Sequence, residues 1–148
     1  MKYQRGFTLL EMMVVVAIIA ILAGILIPNF TRARAQAATS ACMANEKTIA
    51  TALELYYTDN QKYPASASVD STFVKTMSGY MNQVPIDPTA GSGAFYKYAL
   101  VSNGGVVTYN ITCPGTHDPA TLMALTGGAS TTSTKIEYDS QNGFSTSP

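Results

Sequence analysis

The 148-residue sequence is poor in charged residues, histidine and cysteine. Charged side chains make up 12% of the chain, and nine basic residues balance nine acidic ones. A zero net charge without a basic run argues against nucleic-acid binding driven by phosphate neutralisation. One His and two Cys exclude a zinc site of the usual four-ligand, Cys/His-rich kind. The length fits one domain with one appended element.

The few charges are distributed unevenly, and none lies between Glu11 and Arg32. Residues 12–27 are sixteen apolar residues in succession, within a segment at residues 7–27 that only two polar residues interrupt. At about 1.5 Å per residue this segment spans roughly 30 Å as a helix, the thickness of a bilayer's hydrocarbon core. A chain this small could not bury a helix that is apolar on every side. The segment is therefore predicted to insert into a membrane.

Two simple kinds of membrane segment remain open from the residues alone. A signal peptide would have the short basic start that residues 1–6 supply. Against it, the apolar stretch is too long, and two arginines separate it from a small-residue cleavage site at residues 35–37. A plain signal anchor is the second kind, and two basic residues on each side of the segment leave its orientation undecided.

Glu11 is the feature that neither alternative explains. A carboxylate one turn into an apolar helix costs about 2.5–3.5 kcal/mol on insertion scales, so it normally has a partner. No cation of the chain is placed to reach Glu11 from inside the membrane. The alternative is a side chain that extends to the nearby interface.

The residues from Lys2 to Pro28 resemble a known N-terminus. A short basic leader ends in Gly6, Phe7 follows, Glu11 comes four positions later, and the apolar run continues to Pro28. This pattern resembles the class III leader and first helix of type IV pilins and type II secretion pseudopilins. The resemblance implies that a prepilin peptidase cuts between Gly6 and Phe7 and that the new N-terminus on Phe7 is methylated. It also implies a single pass through the inner membrane, with the leader cytoplasmic.

The same resemblance implies a role for Glu11 and a set of partners. Cleavage creates an α-ammonium on Phe7, which Glu11 of a neighbouring subunit could neutralise as helices stack in a homo-oligomeric filament. The filament would be extracytoplasmic or on the cell surface. Its implied partners are the prepilin peptidase, an inner-membrane assembly platform, a cytoplasmic ATPase and minor pilins.

Beyond Pro28 the sequence predicts that the helix continues to Tyr57 as an amphipathic helix. Small or apolar residues recur every three or four positions, at Phe30, Ala33, Ala37, Ala41, Ala44, Thr48, Ala52 and Leu55, with Ile49, Leu53 and Tyr56 beside them. The predicted opposite face carries Arg32, Arg34, Gln36, Asn45, Glu46 and Glu54. Gly24 and Pro28 are predicted points of helix flexibility. They either bend the helix or, by family analogy, let it melt locally.

The C-terminal part is predicted to mix helix and strand. Residues 71–80 form a short helix capped by Ser71 or Asp70. Strands are predicted at residues 94–101, 106–113 and 135–138, with a turn at residues 142–143. Residues 126–134 hold only Thr, Gly, Ala and Ser, which predicts a flexible loop.

The predicted fold class is α+β: a pilin-like roll in which a long N-terminal α-helix packs on a small antiparallel sheet. The predicted parts are a leader at residues 1–6, a transmembrane and polymerisation helix at 7–28, an amphipathic half of that helix at 29–58 and a globular α+β region at 59–148.

The middle of the chain resembles the major pseudopilin of type II secretion more loosely. The matching residues lie at 53–64, 84–88 and 95–98. A Trp-Gly stretch usual in that subfamily is absent, and so is its acidic, calcium-binding C-terminal loop. Three acidic residues are scattered among neutral ones instead, at Asp118, Glu137 and Asp139. No calcium site, other metal site or cofactor is predicted.

Cys42 and Cys113 are predicted to form a disulfide, because the compartment across the inner membrane is oxidising. The alternative is two buried free thiols. His117 and Asp118 could form an acid–base pair, but adjacent residues rarely converge. No nucleophile is recognisable nearby, so a surface loop is predicted there and no catalytic residue is assigned.

The predicted function is a structural subunit of a type IV pilus or a type II secretion pseudopilus, and not an enzyme. Two alternatives stay open: a minor pilin that binds DNA or a surface, and a membrane-tethered enzyme. The absence of a basic stripe speaks against nucleic-acid binding. The sequence leaves undecided whether the filament is a pilus, a secretion pseudopilus or a competence filament.

Overall fold

The computed structural model describes residues 6–103, 106–126 and 135–147. The chain divides into two compact units, Met1–Arg34 and Ala35–Pro148. The elements in chain order are α1 (Leu9–Asn60), β1 (Ala67–Ser68), α2 (Ser71–Thr76), β2 (Lys97–Asn103), β3 (Val106–Thr112), α3 (Pro119–Thr126), β4 (Lys135–Asp139) and β5 (Gly143–Ser147).

Helix α1 is the long helix that the sequence predicts, with both ends shifted by two or three residues. It begins at Leu9 rather than Phe7 and continues through Gly24 and Pro28 without interruption. It ends at Asn60 rather than Tyr57. Gln61 stops it by adopting a left-handed backbone conformation with φ of 54°.

The predicted inward face of α1 is wrong over most of its length. The buried residues are Thr39, Cys42, Glu46, Ile49, Ala50, Ala52 and Leu53. Phe30 and Leu55, assigned to the buried stripe, are 70% and 52% exposed, whereas Glu46, assigned to the opposite face, is fully buried. Alanines lie on every side of this helix, so the hydrophobic pattern discriminates weakly between faces. A buried carboxylate such as Glu46 is rare, and no residue beside it in the sequence indicates its burial.

The sheet is a five-stranded antiparallel meander in the order β1–β2–β3–β4–β5. The strand predictions are confirmed with shifted ends: β2 covers Lys97–Asn103 instead of 94–101, and β3 ends at Thr112. The predicted turn at residues 142–143 leads into β5, where Gly143 has a φ of 77°. Strand β1 and helix α3 were not predicted.

The short helix α2 begins where the sequence predicts and ends four residues earlier, at Thr76. Its cap is Asp70, whose Oδ1 accepts hydrogen bonds from the backbone N–H groups of Thr72 (2.8 Å) and Phe73 (2.9 Å). In the predicted loop at 126–134, Thr126 is the last residue of α3, and residues 127–134 lie outside the described residues.

The core of the second unit lies between α1, α2, α3 and the sheet. Its large apolar members are Ile49, Leu53, Val69, Phe73, Met77, Tyr96, Tyr98, Tyr109, Ile111 and Leu122. The register places Tyr98 opposite Ile111, and both side chains are buried. The α+β fold class, with the helix packed on a small antiparallel sheet, is thereby confirmed.

Candidate functional site

Thr8 and Glu11 form a reciprocal cap at the start of α1. Glu11 Oε2 accepts hydrogen bonds from the Thr8 backbone N–H (2.8 Å) and hydroxyl (2.9 Å). The Glu11 backbone N–H donates to Thr8 Oγ1 at 3.2 Å. This capping box satisfies two backbone donors that a helix N-terminus leaves free. The Thr-x-x-Glu spacing before an apolar run was a signal for it that the sequence interpretation missed.

The predicted processing and flexibility residues lie along the same unit. Phe7 is 81% exposed, whereas the leader residues before Gly6 lie outside the described residues. Pro28 lies inside α1 and has no N–H to donate to the carbonyl of Gly24, four residues earlier. Their roles in processing and flexibility stay predictions.

The apolar side chains of this unit are exposed from Phe7 to Phe30. Helix α1 is the one helix in the described part of the chain that is long and apolar enough to cross a membrane. Its most apolar 18-residue window has a mean hydropathy of 2.9, and none of that window is buried.

The second unit contains a buried polar cluster around a disulfide. Cys42 of α1 and Cys113, the residue after β3, are joined, with their Cα atoms 6.7 Å apart. Both side chains are almost fully buried. The bond connects positions 71 residues apart and so ties α1 to the end of β3.

Asp87 lies against this disulfide on the loop between α2 and β2. Its Oδ1 accepts hydrogen bonds from the backbone N–H and the hydroxyl of Thr89, both at 2.7 Å. Its Oδ2 accepts one from the Gly115 N–H at 3.1 Å and lies 2.6 Å from Cys113 Sγ. A Cβ atom at position 115 would collide with the Thr89 hydroxyl and the Asp87 carboxylate, so this approach requires glycine.

His117 completes the cluster, and its predicted surface position is wrong. The side chain is buried, with Nε2 at 3.0 Å from Cys113 Sγ and 3.7 Å from Asp87 Oδ2. Burial lowers the pKa of His117, and the nearby Asp87 carboxylate partly opposes this. The carboxylate beside the ring is therefore Asp87, not Asp118. Asp118 instead accepts a hydrogen bond from the Thr121 N–H at 2.9 Å in the first turn of α3.

Glu46 is a second buried acid that the sequence interpretation missed. Its side chain is 0% exposed, and both carboxyl oxygens lack a hydrogen-bond partner among the described residues. Burial is the main reason why the pKa of Glu46 is raised to about 9, and the negative charges of Asp87 and Glu137 add to the rise. The backbone N–H of Cys113 opposes this rise without reaching hydrogen-bond geometry. Glu46 is therefore protonated at neutral pH.

Comparison with known proteins identifies the family. Residues 1–27 match the family described as the prokaryotic N-terminal methylation motif. The chain is 32% identical over 135 residues to type II secretion system core protein G of Pseudomonas aeruginosa, covering 84% of each chain. The chain belongs to the type IV pilin and type II secretion pseudopilin family.

Two further relatives represent the two branches of this pilin and pseudopilin family. Core protein G of Escherichia coli K12 is 30% identical over 123 residues, which cover 76% of this chain and 81% of the relative. The type IV major pilin protein PilA of Myxococcus xanthus is 34% identical over 99 residues, covering 67% of this chain and 39% of PilA. No solved structure gave a significant match. Family members are structural subunits, so this pilin-family chain is not an enzyme.

The three acidic residues that the sequence scatters through the C-terminal region each make local hydrogen bonds. Asp118 belongs to the start of α3, and Asp139 Oδ1 accepts hydrogen bonds from the backbone N–H groups of Gln141 (2.8 Å) and Asn142 (2.9 Å). Glu137 accepts a hydrogen bond from the Asn110 side chain. Within the described residues these three carboxylates do not form a shared cluster of oxygen ligands, which calcium requires.

Proposed function

We propose that the chain is the precursor of a major subunit of a type II secretion pseudopilus. A prepilin peptidase would cut it between Gly6 and Phe7 and methylate the new N-terminus. The observation that carries the proposal is the match to core protein G of Pseudomonas aeruginosa, which covers 84% of both chains, together with the N-terminal methylation motif at residues 1–27. The subunit would polymerise through residues 7–28.

The exposed apolar surface of the first unit supports polymerisation. The large apolar side chains from Phe7 to Phe30 are between 46% and 81% exposed. In water such a surface would be strongly unfavourable, because each buried apolar side chain is worth about 1.5–3 kcal/mol relative to an exposed one. Inner-membrane lipid would cover it before assembly, and helices of neighbouring subunits would cover it in the filament.

The position of Glu11 supports its pairing with the N-terminus of an adjacent subunit in the filament. The capping box holds the carboxylate at the N-terminal end of α1, against Thr8, the residue that follows Phe7. Cleavage would create an α-ammonium on Phe7 of each subunit. A Glu11 carboxylate and a neighbour's α-ammonium are each costly in lipid, and their pairing removes most of that cost. An inner-membrane platform, a cytoplasmic ATPase and minor pilins would drive and initiate the stacking.

Gly24 and Pro28 support a local change of the helix during stacking. The Gly24 carbonyl loses the helical donor that Pro28 cannot supply, and glycine adds no side chain to stabilise the turn. This turn would open at lower cost than the rest of α1.

The second candidate is a subunit of a retractable type IV pilus. The 34% identity to a major pilin of Myxococcus xanthus favours it, as does the absence of a clustered calcium site in the described residues. Deleting the chromosomal copy separates the two. Loss of an exported enzyme from the medium supports the pseudopilus, whereas loss of surface pili and surface motility with normal export supports the type IV pilus.

Intact-mass spectrometry of the membrane protein tests processing directly. The expected chain begins at Phe7 with one added methyl group. Gly6→Val is the control and should leave the leader attached. A full-length mass in the unchanged protein would overturn the proposed processing, and normal export with normal pili after deletion would overturn both filament functions.

A further inference from the structure

Four buried side chains of three different types meet in the second unit. They are Cys42 on α1, Asp87 on the loop before β2, and Cys113 and His117 on the segment between β3 and α3. One ligand atom from each lies within 4.8 Å of the others. The disulfide accounts for the two cysteines, but it gives no reason for a buried carboxylate and a buried imidazole beside it.

We propose that the dithiol form of this chain binds one zinc-class divalent cation through Cys42, Asp87, Cys113 and His117. Two sulfurs, one imidazole nitrogen and one carboxylate oxygen are all ligands that zinc uses. With bonds of about 2.0–2.3 Å, the ligand atoms of a tetrahedral site lie roughly 3.3–3.8 Å apart. The longer separations, up to 4.8 Å, must shorten by side-chain rotation, and the two sulfurs, which are bonded in the disulfide, must move apart after reduction.

The hydrogen bonds of Thr39 prepare His117 for this role. The Thr39 hydroxyl donates to the Ala35 carbonyl at 3.0 Å, so its oxygen is free to accept from His117 Nδ1 at 3.4 Å. In the neutral tautomer that carries its proton on Nδ1, His117 donates to Thr39 and its lone pair is on Nε2, the nitrogen that faces Cys113 and Asp87. Metal-binding histidines commonly have such an outer partner.

Asp87 is held in the same way. Thr89 donates two hydrogen bonds to Oδ1, and the Gly115 N–H donates one to Oδ2, the oxygen that faces Cys113 and His117. The carboxylate therefore has a fixed orientation with one oxygen directed at the sulfur and the ring. Thiolate ligands select zinc over calcium and magnesium, which prefer oxygen alone.

The disulfide and the metal site exclude each other because both use the same two sulfurs. Reducing the Cys42–Cys113 bond consumes two electrons from the phosphine used in the test below and two protons from water, whose oxygen ends in the phosphine oxide, and it yields two thiols. Cation binding then releases those two protons as the sulfurs become thiolates. In either state α1 is linked to the segment after β3, and in the metal-bound state it is also linked to the Asp87 loop.

The test uses the full chain in detergent micelles, with zinc chloride as the probe. The chain is reduced with a phosphine, supplied with zinc, desalted and analysed for metal. About one zinc per reduced chain is expected, and none is expected for the disulfide-bonded chain. Cobalt(II) in place of zinc should give an intense tetrahedral visible spectrum and a thiolate charge-transfer band.

Variants identify the ligands. His117→Ala and Asp87→Asn should weaken zinc binding by more than the roughly 10- to 100-fold that loss of an outer-shell partner costs, and Thr39→Val should weaken it within that range. Asp118→Asn, next to His117 but outside the cluster, is the matched control and should bind normally. Circular dichroism verifies that each variant is folded.

Three outcomes with the unchanged chain would overturn the proposal. They are a reduced chain that binds no zinc, a cobalt complex without the thiolate band, and equal zinc binding by the disulfide-bonded chain. Unchanged affinity in both folded ligand variants would also overturn it. Should those variants not fold, the cobalt spectrum of the unchanged chain decides. Failure here would leave the filament function unaffected, because that function rests on the first unit.

Discussion

Thr8 and Glu11 cap each other at the first turn of α1, so the Glu11 carboxylate has a partner before any second subunit is present. If Glu11 serves only as a helix cap, its variants should behave differently from the case in which it also pairs with a neighbouring subunit. Thr8→Val removes the hydroxyl and should cost the helix about 0.5–2 kcal/mol while keeping the carboxylate. Glu11→Val removes both the cap and the charge.

We expect Glu11→Val to abolish filaments and Thr8→Val to retain them at reduced yield. The measurement is electron microscopy and immunoblotting of sheared filaments, in a strain without the chromosomal copy. Membrane levels of each precursor serve as the expression control. Equal loss of filaments in the two variants would show that Glu11 acts only as a helix cap.

Burial of Glu46 makes stability depend on pH. The folded pKa of about 9 lies above the unfolded value of 4.5, so the folded state binds one more proton between these values. Stability is therefore fully present below about pH 4.5 and falls as pH rises, by about 1.4 kcal/mol per unit at most.

Glu46→Gln should remove this slope and raise stability at pH 7 by on the order of 3 kcal/mol. The readout is the thermal unfolding midpoint of the disulfide-bonded, metal-free chain from pH 5 to pH 8. Glu54→Gln, at an exposed position of α1 where the amide oxygen can still accept from the Tyr109 hydroxyl, is the control for exchanging a carboxylate for an amide. A wild-type midpoint that does not fall with pH would contradict the buried, protonated state.

Because Thr89 and Asp87 lie close to Gly115, we expect an alanine at position 115 to lower stability more than an alanine at position 91. Gly115→Ala places a methyl group against Thr89 and Asp87 and should destabilise the chain by about 1–3 kcal/mol. Gly91→Ala is the matched control, because a Cβ there meets no atom within 4 Å. Thermal unfolding of the two variants checks this, and equal midpoints would show that the Asp87 loop moves away freely.

The Cys42–Cys113 disulfide predicts no free thiol in the unreduced chain. Replacing both cysteines with serine should lower the free energy of unfolding by up to about 4 kcal/mol, because the bond closes a long loop. Thiol titration under denaturing conditions, followed by thermal unfolding, measures both effects. Two reactive thiols in unreduced protein would contradict the bond.

Local patterns predicted most of the helices and strands but assigned the buried face of α1 wrongly. The alternation of apolar residues located β2 and β3 to within three residues, and Asp70 was one of two caps expected for α2. The burial of Glu46 could not be predicted. Its neighbours in sequence are ordinary helix residues, and the charges that act on it, Asp87 and Glu137, are far along the chain.

The sequence by itself determined the long apolar segment, the long helix and the family resemblance, because each depends on residues that are contiguous or a few positions apart. Only the tertiary structure decided which face of α1 is buried and what surrounds Cys42. The count of one His and two Cys excludes a site built from four Cys or His ligands. Folding nevertheless places Asp87 beside those three residues and so supplies a fourth possible ligand. Residues separated by 71 positions leave no periodic signal, since their proximity results from packing of α1 against the sheet.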